Sequence, residues 1–564
     1  MGMGRRRFIT HVPAAVAASV TLPATNVGAG TVVQESSPKI GADALKCAEQ
    51  VAGLRFTDAE EAMAIDGVNR NLESYLMLRR LDIPLNVEPA MTYRLSRPGQ
   101  QPRRRATRSV RLPVARKATV RVTSRLDDLA YQPVTVLSSL VESRRITSTD
   151  LTTMYLARLK RYGEPLHSVV TLTEELALAQ AAKADRELKA GRYRGPLHGI
   201  PWGAKDLLAT RGIRTTWGAK PYENQILDVD ATVVERLRDA GAVLVAKLSM
   251  GSLALGGVWF GGTTRNPWAP ATGSSGSSAG PAAATAAGLV GFAIGSETRG
   301  SIITPSSICG VTGLRPTYGR VSRYGAMTLA WTMDKIGPMC RSVEDCVLVF
   351  NAIYGADGRD DTVVDAPFTW RPDTPMPKLR IGYVAREFEG SLNDALGVLR
   401  GTGARVEPIE LPDFPTGALD LILSVEAAAA FDDLTRSKGI DELTEQNQAS
   451  WPNTFRTSRF VPAVEYIRAQ RARALLSQKM ERLMSEYDVF LAPARGSASL
   501  AITNLTGHPA LCLKAGFVAG LPQALMITGR LYDEATVLRV ALAYERATNW
   551  HTMHPDLDKL GTSN

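Results

Sequence analysis

Gly273-Ser-Ser-Gly-Ser-Ser-Ala-Gly-Pro281, then the Ala-rich run Ala282 to Ala287, then Gly288-Leu-Val-Gly-Phe-Ala-Ile-Gly-Ser-Glu-Thr-Arg-Gly-Ser301-Ile, and finally Gly313-Leu-Arg-Pro-Thr317 form the stretch on which the reading of this 564-residue chain turns. Glycine and serine at this density would make a tether flexible. Here they alternate with a helix former and with an apolar run that reads as a buried strand. Small residues permit close backbone approach, and the hydroxyls of Ser277, Ser278 and Ser301 are held on packed elements where one could act as nucleophile or relay.

Two readings of the stretch compete. Gly276-Ser277-Ser278-Ala279-Gly280 matches G-x-S-x-G, which in an α/β-hydrolase makes the central serine, here Ser278, a nucleophile on a strand-to-helix elbow. The helix follows, but Asn266-Pro-Trp-Ala-Pro-Ala-Thr-Gly273 before it has two prolines and no apolar run to make a buried strand. A histidine partner for that reading would come from His508, His551 or His554. The other reading takes the whole stretch together with Leu197-His-Gly-Ile-Pro-Trp-Gly-Ala-Lys205-Asp206 upstream.

Taken whole, these motifs resemble those of the amidase signature family of serine hydrolases. The resemblance implies that Ser277 is the relay serine, held by a cis peptide, that Ser301 is the nucleophile, and that Lys205 is the base. Ser274-Ser275 also looks like the motif but lies three residues too far from Ser301 for the family spacing. The backbone N–H groups of Thr298, Arg299, Gly300 and Ser301 correspond to the family's oxyanion hole. Arg299 stands where many members have glycine, which offers either an anion-selective cation at the mouth or a side chain in solvent. Glu297 replaces the commoner aspartate. Met333-Asp-Lys-Ile-Gly-Pro338, Leu379-Arg-Ile-Gly382, Asp488-Val-Phe-Leu-Ala-Pro493 and Gly507-His-Pro-Ala510 extend the resemblance, which thins between about 385 and 480.

The chemistry agrees with that assignment. A serine hydroxyl is a poor nucleophile until a base takes its proton, and a lysine serves only when neutral. Desolvation supplies neutrality by disfavouring the ammonium form. The expected activity is therefore hydrolysis of a carbon–nitrogen amide bond, or of an ester or carbamate, through a Ser301 acyl-enzyme. The alternatives are the A subunit of a glutamine-dependent amidotransferase and a non-catalytic amide-binding protein.

Composition sets the frame. With 45% hydrophobic and 22% charged residues the profile is that of an ordinary globular chain with ample core. The formal charge of +10 is concentrated: residues 101 to 125 carry nine Lys or Arg and no acid, and Arg5, Arg6 and Arg7 add three more. The remainder is slightly acidic and the basic segment lacks aromatics, so no nucleic-acid partner is expected. Residues 1–30 read as a twin-arginine-type signal peptide, giving an exported, periplasmic or secreted protein. No other run reaches transmembrane length.

Residues 31–100 read as a helical N-terminal extension, with Thr57 capping a helix, and 101–126 as a basic linker. Ser36-Ser-Pro-Lys39 matches S-x-x-K by chance. Residues 127–550 read as one large α/β domain of the amidase signature type, a mixed central sheet covered by helices. Within it Ser148-Thr-Asp caps one helix, Glu174 to Lys189 forms a second, and Asp230 caps a third that runs into the buried strand 242–246. Helical stretches at about 417–437 and 462–486 could wall a pocket. Six histidines without H-E-x-x-H and five cysteines without C-x-x-C give no metal or redox motif, and no cofactor is expected. Cys340 and Cys346 are near enough in sequence to pair. The expected partner is a small amide or ester substrate, with a homodimer left open.

Overall fold

Short apolar runs bounded by glycine and proline become the strands of one sheet in the computed structural model, which describes residues 39–84, 87–91 and 125–561. The proposed signal peptide and all but the last two residues of the basic linker lie outside the described residues, as does Ser36. Among the described residues the sheet has eleven strands. In chain order they are β1 (Val169–Leu172), β2 (Pro201–Lys205), β3 (Val243–Leu248), β4 (Phe292–Glu297), β5 (Thr312–Arg315), β6 (Lys335–Cys340), β7 (Arg380–Val384), β8 (Arg405–Ile409), β9 (Val489–Pro493), β10 (Ala510–Val518) and β11 (Leu521–Gly529).

Their spatial order is β1-β3-β2-β4-β6-β5-β10-β11-β9-β7-β8. The β2 strand runs parallel to both β3 and β4, whereas β4, β6, β5, β10, β11 and β9 pair antiparallel in succession, so the sheet is mixed. Every residue of β2, β3, β5 and β6 is buried, as expected for strands covered by helices on both faces. Trp202 of β2 stacks on Phe292 of β4, ring centroids 6.1 Å apart, and so fixes the pair of strands that carry the site.

The helices follow the sequence closely, with differences at their caps. Glu174–Lys189 has the expected bounds. The helix Ser148–Tyr162 is capped by Thr147, not Ser148: the Thr147 hydroxyl accepts from Asp150 N while Asp150 accepts from Thr147 N, a reciprocal capping box. Asp230 does not cap Thr232–Asp239; its carboxylate accepts from Arg211 N at 2.8 Å and pairs with Arg238 at 2.5 Å. The two helical stretches of the thinly related region are Asp420–Ala430 with Asp432–Arg436, and Ala463–Glu486.

Thr57 caps the helix Asp58–Arg79 as expected. This helix packs on the α/β domain. Gly67 meets Thr457 so closely that a Cβ would lie 2.6 Å from its methyl, Arg79 pairs with Glu465 at 2.6 Å, and Glu60 pairs with Arg456. All five cysteines are free thiols, Cys340 and Cys346 included, and only Cys47 is exposed. Among the described residues no helix is long and apolar enough to cross a membrane.

Candidate active site

Three segments meet at the carboxyl end of β2. Lys205 is its last residue and is wholly buried. The second segment is the turn before the helix Ala279–Ala286, all eight of whose residues are buried. It brings Ser277 and Ser278 against the lysine: Nζ lies 2.8 Å from Ser277 Oγ and 3.1 Å from Ser278 Oγ. The Gly276–Ser277 peptide is cis, as the family resemblance implied. Only glycine fits at 276, because a Cβ there would lie 1.8 Å from the Gly256 carbonyl oxygen.

The third segment is the loop from the end of β4 to the helix Ile303–Cys309. Ser296 near the end of β4 accepts from Lys205 Nζ at 2.9 Å. The loop then turns at Gly300, whose φ of +126° is open to glycine and costly for other residues, and delivers half-buried Ser301. Ser278 N donates to the Ser301 carbonyl at 3.1 Å, which sets the two serine segments side by side. No side-chain hydrogen bond joins Ser277 to Ser301 among the described residues. The N–H groups of Thr298, Arg299, Gly300 and Ser301 have no protein acceptor among those residues, so four donors remain available at one turn.

Burial pushes the Lys205 amine down to about 7, while the carboxylates of Asp334 and Glu297 act to raise it. Near neutral pH a substantial fraction is therefore the free amine. Ser278 is occupied differently: its hydroxyl donates to the Ser296 carbonyl at 3.0 Å and accepts from Ser296 N at 3.2 Å. The strand before it, Ala269–Gly273, is half-buried to exposed and pairs only with Arg265–Asn266. Among the described residues neither a buried strand nor a histidine is delivered to Ser278. His508 is buried and bonded to Thr506, with burial and Arg315 lowering its pKa to about 3, and His554 stacks on Tyr131 at 3.8 Å.

Several residues that hold the site carried no clear sequence cue. Glu297 is fully buried; its carboxylate accepts from Ile302 N at 2.7 Å, Ile303 N at 2.8 Å, Arg315 at 2.8 Å and Asn504 at 2.8 Å. Burial opposes ionisation there, yet the Arg315 guanidinium and the Ile303 N–H hold the carboxyl below its usual range. Asp334, inside the Met333 to Pro338 motif, accepts from Thr298 Oγ1 at 2.5 Å and from Leu329 N at 2.8 Å, tying down the oxyanion loop. Asp206, next to the base, pairs with buried Lys247 at 3.1 Å. Arg299 takes neither of its expected roles. Its side chain pairs with Asp420, Nε at 2.9 Å and the nearer terminal nitrogen at 2.6 Å, so the cation is already neutralised.

The model of the family described as Amidase matches residues 150–503, more than half of the chain. The chain belongs to the amidase family. The A subunit of glutamyl-tRNA(Gln) amidotransferase from Roseiflexus sp. (strain RS-1) is 38% identical over 469 residues, 73% of this chain and 95% of the relative. Its counterpart in Dehalococcoides mccartyi (strain ATCC BAA-2266 / KCTC 15142 / 195) is 36% identical over 77% of this chain and all of its own length. Among solved structures, native peptide amidase from Stenotrophomonas maltophilia superposes with a TM-score of 0.68 at 30% identity, covering 77% of this chain and 100% of the other. The chain thus has the mixed α/β fold and the carbon–nitrogen bond chemistry of its family. The expectation of export is overturned by the same finding: these relatives are subunits of an amidotransferase named for glutamyl-tRNA(Gln).

Proposed function

We propose that the protein cleaves a carbon–nitrogen amide bond through an acyl-enzyme on Ser301, with Lys205 as base, Ser277 as relay and the N–H groups of Thr298 to Ser301 as the oxyanion hole. The observation that carries this reading is Lys205: a wholly buried amine, pushed down to about 7, 2.8 Å from the Ser277 hydroxyl. Ser301 Oγ attacks the carbonyl carbon as its proton passes to Ser277 and the Ser277 proton passes to Lys205. The negative oxygen is met by the loop N–H groups. When the C–N bond breaks, the lysine proton returns through Ser277 to the leaving nitrogen. Water then attacks the acyl carbon by the same relay and releases the acid. An ester or carbamate carbonyl would follow the same path.

A second reading, the A subunit of a glutamine-dependent amidotransferase, is favoured by the identity to subunits of that name along nearly their whole length. Both readings use one acyl-enzyme; they differ in whether the released ammonia is lost to water or handed to a partner. Fluorophosphonate labelling of Ser301, followed by amide turnover with the purified chain alone, tests them. Labelling with turnover of simple amides is expected. Labelling with ammonia release only from glutamine and only beside partner subunits would favour the second reading, and an unlabelled Ser301 would remove both.

A further inference from the structure

We propose that the cleft between Tyr324 and Trp331 receives a flat apolar group of the substrate, a phenyl ring or its equivalent, and discriminates against a carboxylate there; this rests on the amide-cleaving reading of Ser301 and names its substrate class. The cleft, of about 200 Å³, is lined in part by Leu207, Ala254, Met327, Leu329 and Ile336, and also by Ser296 and Thr298. Those two residues connect it to the chemistry. Ser296 Oγ is hydrogen-bonded to Lys205 Nζ at 2.9 Å, and Thr298 opens the oxyanion loop. An apolar cavity of roughly 150 Å³ is enough to bind benzene, so a cleft of about 200 Å³ has room for one ring.

Trp331 is the most informative wall. Its indole is 48% exposed and makes no ring or cation contact among the described residues. Its backbone is nonetheless held: the Trp331 carbonyl accepts from Tyr318 Oη at 2.8 Å and from Arg323 at 2.6 Å, and the next N–H, that of Thr332, donates to Glu426 at 2.9 Å. A large apolar side chain left half exposed on a fixed backbone presents a ready stacking surface at little ordering cost. The Tyr324 ring, also in the lining, is held under the Arg359 guanidinium, 4.3 Å from the centroid.

Charge around the cleft sets the second part of the specificity. Arg323 pairs with Asp360 at 3.0 Å, and Arg359 pairs with Glu235 and, at 3.4 Å, with Asp357. Asp334 is satisfied by its three donors. Asp361 lines the cleft with no hydrogen-bond or ion-pair partner among the described residues. The third basic group of the lining, Lys335, is buried, donates to the Met333 carbonyl and is pushed well below its usual pKa by that burial. The lining therefore offers no uncommitted cation to a carboxylate and one uncommitted carboxylate to repel it, whereas neutral and cationic rings are accepted.

The test is kcat/KM for two matched series, primary amides and anilides, each carrying methyl, benzyl, 4-(aminomethyl)benzyl or 4-carboxybenzyl as the variable group. In at least one series benzyl should exceed methyl by about tenfold or more, the range a single apolar pocket supplies. The carboxyl analogue should fall about tenfold below benzyl, and Asp361→Asn should recover most of that loss. Trp331→Ala should erase the benzyl advantage, with the loss appearing in KM rather than in kcat. Equal rates for benzyl and methyl in both series, or a benzyl advantage that survives Trp331→Ala, overturns the proposal. Fluorophosphonate labelling of Ser301 separates the two levels. A labelled enzyme without ring preference sinks only the cleft assignment, and an unlabelled one sinks the amide reading and this proposal with it.

Discussion

Replacing Lys205 by methionine should abolish hydrolysis and at the same time stabilise the fold near neutral pH. Burial moves the amine from 10.5 to about 7, and at about 1.36 kcal/mol per unit the native state carries a penalty of about 5 kcal/mol below about pH 7, where the lysine is protonated in both states. Methionine removes that penalty but loses three close hydrogen bonds, to Ser277 at 2.8 Å, Ser296 at 2.9 Å and Ser278 at 3.1 Å. At about 1 kcal/mol each these offset roughly 3 kcal/mol, leaving the variant ahead by about 2 kcal/mol below pH 7. The sign then reverses with pH. Between about 7 and 10.5 the unfolded chain binds a proton that the folded chain has lost, so native stability rises relative to the variant across this window. The two should be equally stable at about pH 8 to 9, and the native protein should lead by about 3 kcal/mol above 10.5. Urea unfolding of both proteins at several pH values measures the difference, in which every other titrating group cancels. The kcat/KM of the native enzyme should rise with pH through about 7, as Lys205 deprotonates, and then level. A variant less stable by the same margin at every pH, or an acid optimum for the enzyme, would refute the neutral-lysine base.

Three other variants probe the neighbouring groups. Ser278→Ala should keep kcat within about tenfold while lowering stability by about 1–3 kcal/mol, because it strands the buried partners of that hydroxyl; a dead but folded Ser278→Ala, with Ser301→Ala still active, would restore the elbow reading. Ser277→Ala should lower kcat by orders of magnitude with circular dichroism unchanged, and native-like turnover would show that Lys205 does not act through it. Glu297→Ala leaves the Arg315 charge buried and unpaired and should cost about 3–5 kcal/mol in urea unfolding; a loss under 1 kcal/mol would mean the network does not hold the loop.

What could be read from the sequence was local. The burial of Lys205 follows from the apolar residues on either side of it, and the fold class from the alternation of apolar runs with helices, while the cis peptide before Ser277 came only with the family resemblance. What could not be read depends on partners far along the chain. Glu297 finds Asn504 207 residues away, and Arg299 finds Asp420 121 residues away. The case of Arg299 shows why motif reasoning stops where it does. In a run of glycines a long cation reads as a group facing substrate or water, since nothing nearby in sequence can neutralise it. The neutralising carboxylate comes from the first turn of Asp420–Ala430, in the region where the family resemblance is thinnest. A substitution inside the motif is thus answered by a charge outside it, and the pair is visible only once the sheet has brought the two segments together. Ser278 carries the converse lesson. It satisfies a nucleophile motif to the letter, but its hydroxyl proton is directed at the Ser296 carbonyl 3.0 Å away, so the match in sequence marks a residue whose bonding is structural.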